Sequence, residues 1–228
     1  MKKLGGSHKA IISALALITG LCLFLFTVRV IATDTFRYGF IPWNLSLIWL
    51  ALALGLIAAE RLKKRIGIGS FLIILLWLGF LPNTWYVLTD FIHVYPTGEI
   101  SQLYDVVLIA TLSVAGFTAG FISLMAVHDQ LLKKLAPRAA HLVITGVLLL
   151  SSFGIYLGRD LRWNTWDVVR NPTGLILDLS DRIIDPLGHP RFITITGLFF
   201  VLLSCLYAAI YYVRNAVNTP KAKTGTKK

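Results

Sequence analysis

Charged side chains are scarce in this chain, which has 228 residues of which only 14% are Asp, Glu, Lys or Arg. A soluble domain usually carries about 25%, so a large soluble domain is excluded. Cysteine is rarer still, and Cys22 and Cys205 both lie inside apolar stretches. We therefore expect neither a disulfide framework nor a cysteine metal site, and interpret both residues as small packing side chains.

Apolar residues make up 56% of the chain, and the mean hydropathy is +0.73. About 20 consecutive apolar residues are needed to cross a bilayer as a helix. The runs predict six transmembrane helices, over residues 10–32, 43–59, 68 to beyond 82, 104–127, 139–157 and 192–213. The predicted fold is an all-α, polytopic membrane protein whose six-helix bundle covers residues 10–213.

Both ends of the chain are basic. Residues 1–9 carry Lys2, Lys3 and Lys9, and residues 214–228 carry Arg214 and four lysines. The first apolar run is longer than the core of a cleaved signal peptide, so we expect it to be retained. We expect residues 214–228 to be a disordered tail because they are polar and basic.

The distribution of basic residues predicts the orientation. With the amino terminus in the cytoplasm, fifteen Lys and Arg and all the lysines lie on the cytoplasmic side, and only six Arg lie outside. The positive-inside rule is satisfied at every loop by six helices with both termini in the cytoplasm. The expected location is the cytoplasmic membrane, with both termini on its cytoplasmic side. The formal charge of +11 thus matches anionic lipid and does not indicate nucleic acid.

The last outer connection, residues 158–191, contains a predicted amphipathic helix. Asn171 is a suitable N-cap and Pro172 suits the first helical position, while Pro186 and Gly188 would end the helix. Between them, leucines and isoleucines fall on one side of a helical wheel and charged residues on the other. We expect this helix to lie at the outer surface of the membrane.

Three features inside the apolar runs concern packing. Pro82 removes a backbone donor and should kink the third helix at the carbonyl of Leu78. Arg29 lies near the end of the first run, and we expect it to extend to the interface as an anchor. Gly116 and Gly120 form a small-xxx-small pattern that permits close helix contact.

Polar side chains gather after the third and fifth runs, on the side predicted to be outside. Paired guanidiniums suit phosphate or carboxylate groups, amides form hydrogen bonds, and indoles stack on sugars. Internal salt bridges and an aromatic belt are the structural alternatives. The candidate binding residues are Asn83, Tyr86, Asp105, Arg159, Arg162, Trp163, Asn164, Trp166 and Asp167.

Asp90 and His93 are the candidate catalytic pair, because a spacing of three puts both on one side of a helix. Such a pair can act as acid and base, hold a metal, or form a structural hydrogen bond. Two ligands do not define a metal site, so no metal is expected, and no cofactor is indicated. If the site exists, we expect an open pocket between the third, fourth and fifth transmembrane helices. We also expect Asp90 or Asp105 within reach of Arg159 or Arg162.

These motifs resemble a bacterial membrane family catalogued as domain of unknown function 1361. The resemblance covers roughly the second to the sixth helix. It implies a multi-pass bacterial membrane protein and implies no activity. It is carried by Phe80-Leu81-Pro82-Asn83 with Tyr86, Thr89-Asp90 and His93, by Tyr104-Asp105, by Gly158-Arg159, and by Arg162-Trp163-Asn164 with Trp166-Asp167.

The function that these residues favour is binding, or processing, of an anionic or glycosylated lipid head group at an outer-leaflet site. The expected partners are the bilayer and such a lipid, and the sequence leaves open whether the protein is an enzyme. A small-solute transporter is one alternative, although the middle of the bundle has almost no ionisable residues, where transporters bind. A non-catalytic assembly or scaffold protein is the other.

Overall fold

A computed structural model describes residues 2–64, 67–163, 170–185 and 187–218, and the regular structure of these residues is helical. Six helical segments are long and apolar enough to cross a membrane, so the prediction of a six-helix all-α membrane protein is confirmed. The helices are α1 (Lys2–Thr33), α2 (Phe40–Lys63), α3 (Ile68–Phe80), α4 (Pro82–Tyr86), the 3₁₀ helix η1 (Val87–His93), α5 (Gln102–Leu131), α6 (Pro137–Arg159), α7 (Pro172–Ile184) and α8 (Pro190–Asn218).

The helices extend further than the apolar runs predict. Helix α8 continues to Asn218, so residues 214–218, expected in the disordered tail, belong to a helix. Helix α1 likewise begins at Lys2, inside the predicted basic terminus. A helix continues beyond its apolar run until a capping residue or a proline ends it. The apolar run therefore underestimates the length of the helix. Residues 219–228 lie outside the described residues.

The surface of the bundle is apolar where a soluble protein would be polar. Leu17 and Ile31 are 76% and 77% exposed, and Leu142 is 73% exposed. Exposed leucines and isoleucines along whole helices indicate contact with lipid. Helix α5 is the most buried of the described spans, and it contributes to both clusters of buried apolar side chains.

Pro82 interrupts the third span, as predicted. Helix α3 ends at Phe80 and α4 begins at Pro82, because proline cannot donate to the carbonyl four residues earlier. The chain then tightens into η1, and α3, α4 and η1 together form the span from Ile68 to His93.

Helix α4 packs closely against α5 through the two glycines of the small-xxx-small pattern. A Cβ atom on Gly116 would lie 2.0 Å from the carbonyl oxygen of Thr84, and one on Gly120 would lie 2.4 Å from its hydroxyl oxygen. The absence of both side chains is therefore what allows the backbones to approach. The predicted packing role of this pattern is confirmed.

Helix α7 has the N-cap that its sequence predicts. The Asn171 Oδ1 atom accepts a hydrogen bond from the Gly174 amide at 3.0 Å. The polar side of α7 holds it to the bundle, since Arg182 Nε donates to the Tyr156 hydroxyl at 3.0 Å. Ile176 and Leu177 are more than 60% exposed, which leaves an apolar side available to the membrane. Pro186, expected to end this helix, lies outside the described residues.

Candidate functional site

Arg29 is the first site residue for which the structure corrects the prediction. It was expected to be an interfacial anchor, but it is buried within the protein, with only 1% of its surface exposed. Its Nε atom donates to Asp105 Oδ1 at 2.7 Å, and its Nη2 lies 3.5 Å from Glu99 Oε2. The prediction considered Arg29 alone, whereas the packing of α1 on α5 brings a carboxylate to it.

Tyr38 completes this cluster. Its hydroxyl donates to Asp105 Oδ2 at 3.0 Å. Burial, together with the hydrogen bond to Asp105, raises the pKa of Tyr38 to about 12. The phenol therefore stays a proton donor, and both oxygens of Asp105 accept hydrogen bonds, from Arg29 and Tyr38. This cluster ties α1 and the first loop to α5, and we assign it a structural role.

An open groove lies between α2, α3, α4 and α6, with Leu175 of α7 at its edge. We call it the α2–α4–α6 groove; its volume is about 480 Å³. Its apolar lining consists of Leu47, Leu75, Leu78, Leu150, Phe153 and Leu157. Its polar and aromatic lining consists of Trp43, Asn44, Asn83, Tyr86 and Trp163. The small residues Gly79, Pro82, Gly154 and Gly158 complete the wall.

The groove differs from the expected pocket in one of the transmembrane helices that line it. The third and fifth transmembrane helices line it as expected, but the second helix replaces the fourth. The reason is the glycine contact of α4 with α5, which closes the space between the third and fourth spans. Gly154 allows the equally close approach of α6 to the proline turn, since a Cβ atom there would lie 2.8 Å from the Pro82 ring.

Three of the predicted binding residues line this groove: Asn83, Tyr86 and Trp163. The Trp163 indole donates to Asp178 Oδ2 of α7 at 2.9 Å, which fixes the ring. Asp105 is not part of the lining, because it belongs to the Arg29 cluster. Asn164, Trp166 and Asp167 lie outside the described residues.

Asp90 lies behind the groove and reaches it through Asn44. It is 3% exposed, and its Oδ2 accepts from Asn44 Nδ2 at 3.0 Å. Asn44 is a functional candidate that the sequence interpretation missed. The available signal was an amide one turn inside an apolar helix, where a polar group needs a partner.

His93 does share a side of η1 with Asp90, as the spacing of three predicts for a 3₁₀ helix. The two side chains nevertheless make no hydrogen bond with each other in the described part of the chain. The His93 imidazole packs on the Phe40 ring at 5.6 Å, and its carbonyl accepts from Arg37 and Tyr38. Among the described residues there is no group of three or more possible metal ligands.

The expected pairing of Asp90 or Asp105 with Arg159 or Arg162 is wrong. Within the described ranges, neither arginine forms an ion pair or hydrogen bond with either carboxylate. Asp90 is bonded to Asn44 of α2, and Asp105 is bonded to Arg29 of α1. The sequence alone did not predict that these two helices lie beside the carboxylates.

Arg162 is exposed and has an unusual backbone conformation. Its φ angle is +57°, in the left-handed region that costs a residue with a side chain about 1–2 kcal/mol. This turn lets the Trp163 amide donate back to the Leu157 carbonyl at 3.1 Å. Arg162 thereby directs the chain so that Trp163 lies over the groove.

Together, these observations define a multi-pass membrane protein whose helices line an open groove with polar residues at one end. The family model described as Protein of unknown function (DUF1361) matches residues 43–206, more than half of the chain. The chain belongs to this family, and the matched range contains every described residue that lines the groove. No curated protein and no solved structure matches the chain.

Proposed function

We propose that the chain binds a membrane lipid in the α2–α4–α6 groove and recognises its head group. The observation that carries this proposal is the change in the lining of the groove from apolar side chains in one part to polar side chains in another. Leu75, Leu78 and Leu150 line one part, and Asn44, Asn83 and Tyr86 line another, near the ends of helices. A lipid has the same gradient from chain to head group.

The groove is open to the membrane along its length. Trp43, Leu75 and Leu150 line it and are 56%, 46% and 52% exposed. The wall from Leu75 to Tyr86 advances about 16 Å at 1.5 Å per residue, close to half of the roughly 30 Å hydrocarbon core. A lipid of one leaflet can therefore enter from the side and extend along the groove.

Binding fits the lining better than catalysis does. Neither Asp90 nor His93 is among the described residues that line the groove. We assign Asp90 the role of holding the Asn44 amide, and we assign Asn83, Tyr86 and Trp163 to the head group. Arg159 and Arg162 stay nearby as positive charges at the same end of α6.

The proposal places the polar end of the groove in the outer leaflet, with both termini in the cytoplasm. Cysteines introduced at the exposed positions Thr97 and Thr173 should react with a membrane-impermeant thiol reagent added outside the cell. A cysteine at Arg138, exposed at the opposite end, should react only after the membrane is opened. The parent chain, with Cys22 buried and Cys205 within α8, is the control. The reverse pattern would contradict the orientation.

The groove itself is tested by filling it. Leu150→Trp should remove most of the lipid that co-purifies with the chain in mild detergent, because the larger ring occupies the apolar part of the groove. Leu149→Trp is the matched control, since Leu149 is similarly exposed at 47% but is not among the residues lining the groove. Native mass spectrometry measures the bound lipid. Equal occupancy in the two variants would refute the proposal.

A further inference from the structure

The described residues that line the polar end of the α2–α4–α6 groove are uncharged. Its described lining contains amides, a phenol and indoles, and no acidic or basic side chain. Arg159 and Arg162 are close in sequence to Trp163, but neither is among the lining residues. A phosphate inside the groove would lose water without a countercharge in the described lining, since Arg159 and Arg162 lie outside it, whereas a hydroxyl needs only hydrogen bonds.

The two amides are held in known orientations. Asn44 Nδ2 donates to the Asp90 carboxylate at 3.0 Å, and Asn83 Nδ2 donates to the Phe80 carbonyl at 3.1 Å. The Phe80 carbonyl only accepts, and Asp90 Oδ2 accepts from Asn44, so both amides are held with Nδ2 towards these partners. No described residue forms a hydrogen bond with either Oδ1 atom, so within the described part of the chain each amide offers its Oδ1 acceptor and its second amide hydrogen to a ligand.

The Tyr86 hydroxyl adds one more group that both donates and accepts. A phosphate oxygen only accepts, and it would leave both Oδ1 atoms unused. A hydroxyl can donate to Oδ1 and accept from the amide hydrogen. The set of polar groups is therefore complementary to hydroxyls.

Aromatic rings lie at the same end as the amides. Trp43 and Trp163 both line the groove, and the bond from Trp163 to Asp178 holds its ring in place. The negative face of an indole attracts polarised C–H groups, and one face of a sugar ring is made of such groups. A ring with one face of C–H groups and with hydroxyls around its edge is therefore suited to the indoles and the amides together.

We propose that the head group recognised in the groove is an uncharged sugar, so that the ligand is a neutral glycolipid. This inference depends on the proposed lipid binding and specifies its substrate class. The volume of about 480 Å³ is within the usual range for a site that holds one small ligand, here one sugar ring and the beginning of a lipid chain.

The test is a competition among three lipids with the same acyl chains: monoglucosyl diacylglycerol, phosphatidylglycerol and diacylglycerol. The full chain, stripped of lipid by detergent washing, receives equal amounts of the three, and native mass spectrometry measures the occupancy of each. The glucosyl lipid should exceed both of the others by about a hundredfold, as expected for three added hydrogen bonds of about fivefold each.

Tyr86→Phe removes one hydroxyl from the groove and should reduce the preference for the glucosyl lipid by about fivefold, which is the effect of one hydrogen bond. Asn83→Leu should reduce it further while diacylglycerol still binds. Tyr95→Phe is the matched control, because Tyr95 is 57% exposed outside the groove, and it should leave the preference unchanged.

Four results would overturn the inference. Preferential binding of phosphatidylglycerol, or equal binding of all three lipids, would contradict a neutral sugar while leaving lipid binding in place. Failure of every lipid to bind, or binding that Leu150→Trp does not reduce, would contradict the proposed function as well.

Discussion

Arg29→Met is expected to lower the free energy of unfolding by about 3–5 kcal/mol, the usual cost of removing one partner from a buried ion pair. The reason is that Asp105, 1% exposed, would keep its charge without the guanidinium that lies 2.7 Å away. Tyr38 alone would remain as its donor. Reversible unfolding in mixed detergent micelles, followed by circular dichroism, measures the change.

Two controls separate this pair from ordinary surface charge. Lys63→Met removes a partner from the exposed pair of Lys63 and Glu60, and it should cost less than about 1 kcal/mol. The double variant Arg29→Met with Asp105→Leu should recover much of the loss, because no buried charge remains. If Arg29→Met costs no more than Lys63→Met, Arg29 is not a structural partner of Asp105.

Gly116→Ala is expected to cost about 1–3 kcal/mol, as overpacking of a tight contact usually does. The new methyl group would lie 2.0 Å from the Thr84 carbonyl oxygen and 2.8 Å from Val87, and one of these atoms belongs to the backbone. Helix α4 must then move away from α5. Because α4 also carries Asn83 and Tyr86, the amount of bound lipid should fall together with stability.

The matched control for this change is Gly146→Ala in α6, where a Cβ atom has no neighbour within 4 Å. The substitution there should stabilise the helix by about 0.5–1 kcal/mol. The same unfolding assay and lipid analysis apply to both variants. Equal effects of the two substitutions would show that the contact between α4 and α5 is not tight.

The spanning helices could be predicted because each is encoded locally. Pro82 interrupts the third span and Asn171 caps α7 for reasons that involve only neighbouring residues. The Gly116 and Gly120 pattern was also sufficient to predict close packing, although it did not identify α4 as the partner.

The candidate site was less predictable, because its contacts join distant parts of the chain. Arg29 and Asp105 are 76 positions apart, and Asn44 and Asp90 are 46 apart. Asp90 or Asp105 was expected to meet Arg159 or Arg162, but Asp105 is bonded to Arg29 of α1 and Asp90 to Asn44 of α2. The contribution of α2 to the groove was missed for the same reason, because composition does not determine which spans are neighbours.

The most direct test of the central claim is a density map of the chain in a lipid nanodisc, enlarged by a rigid antibody fragment for imaging. We expect one elongated density in the α2–α4–α6 groove, with its narrow part along Leu78 and Leu150 and its head within hydrogen-bond distance of Asn44 and Asn83. A groove that is closed by its own helices, or that contains no density while lipids are resolved elsewhere around the bundle, would contradict the account.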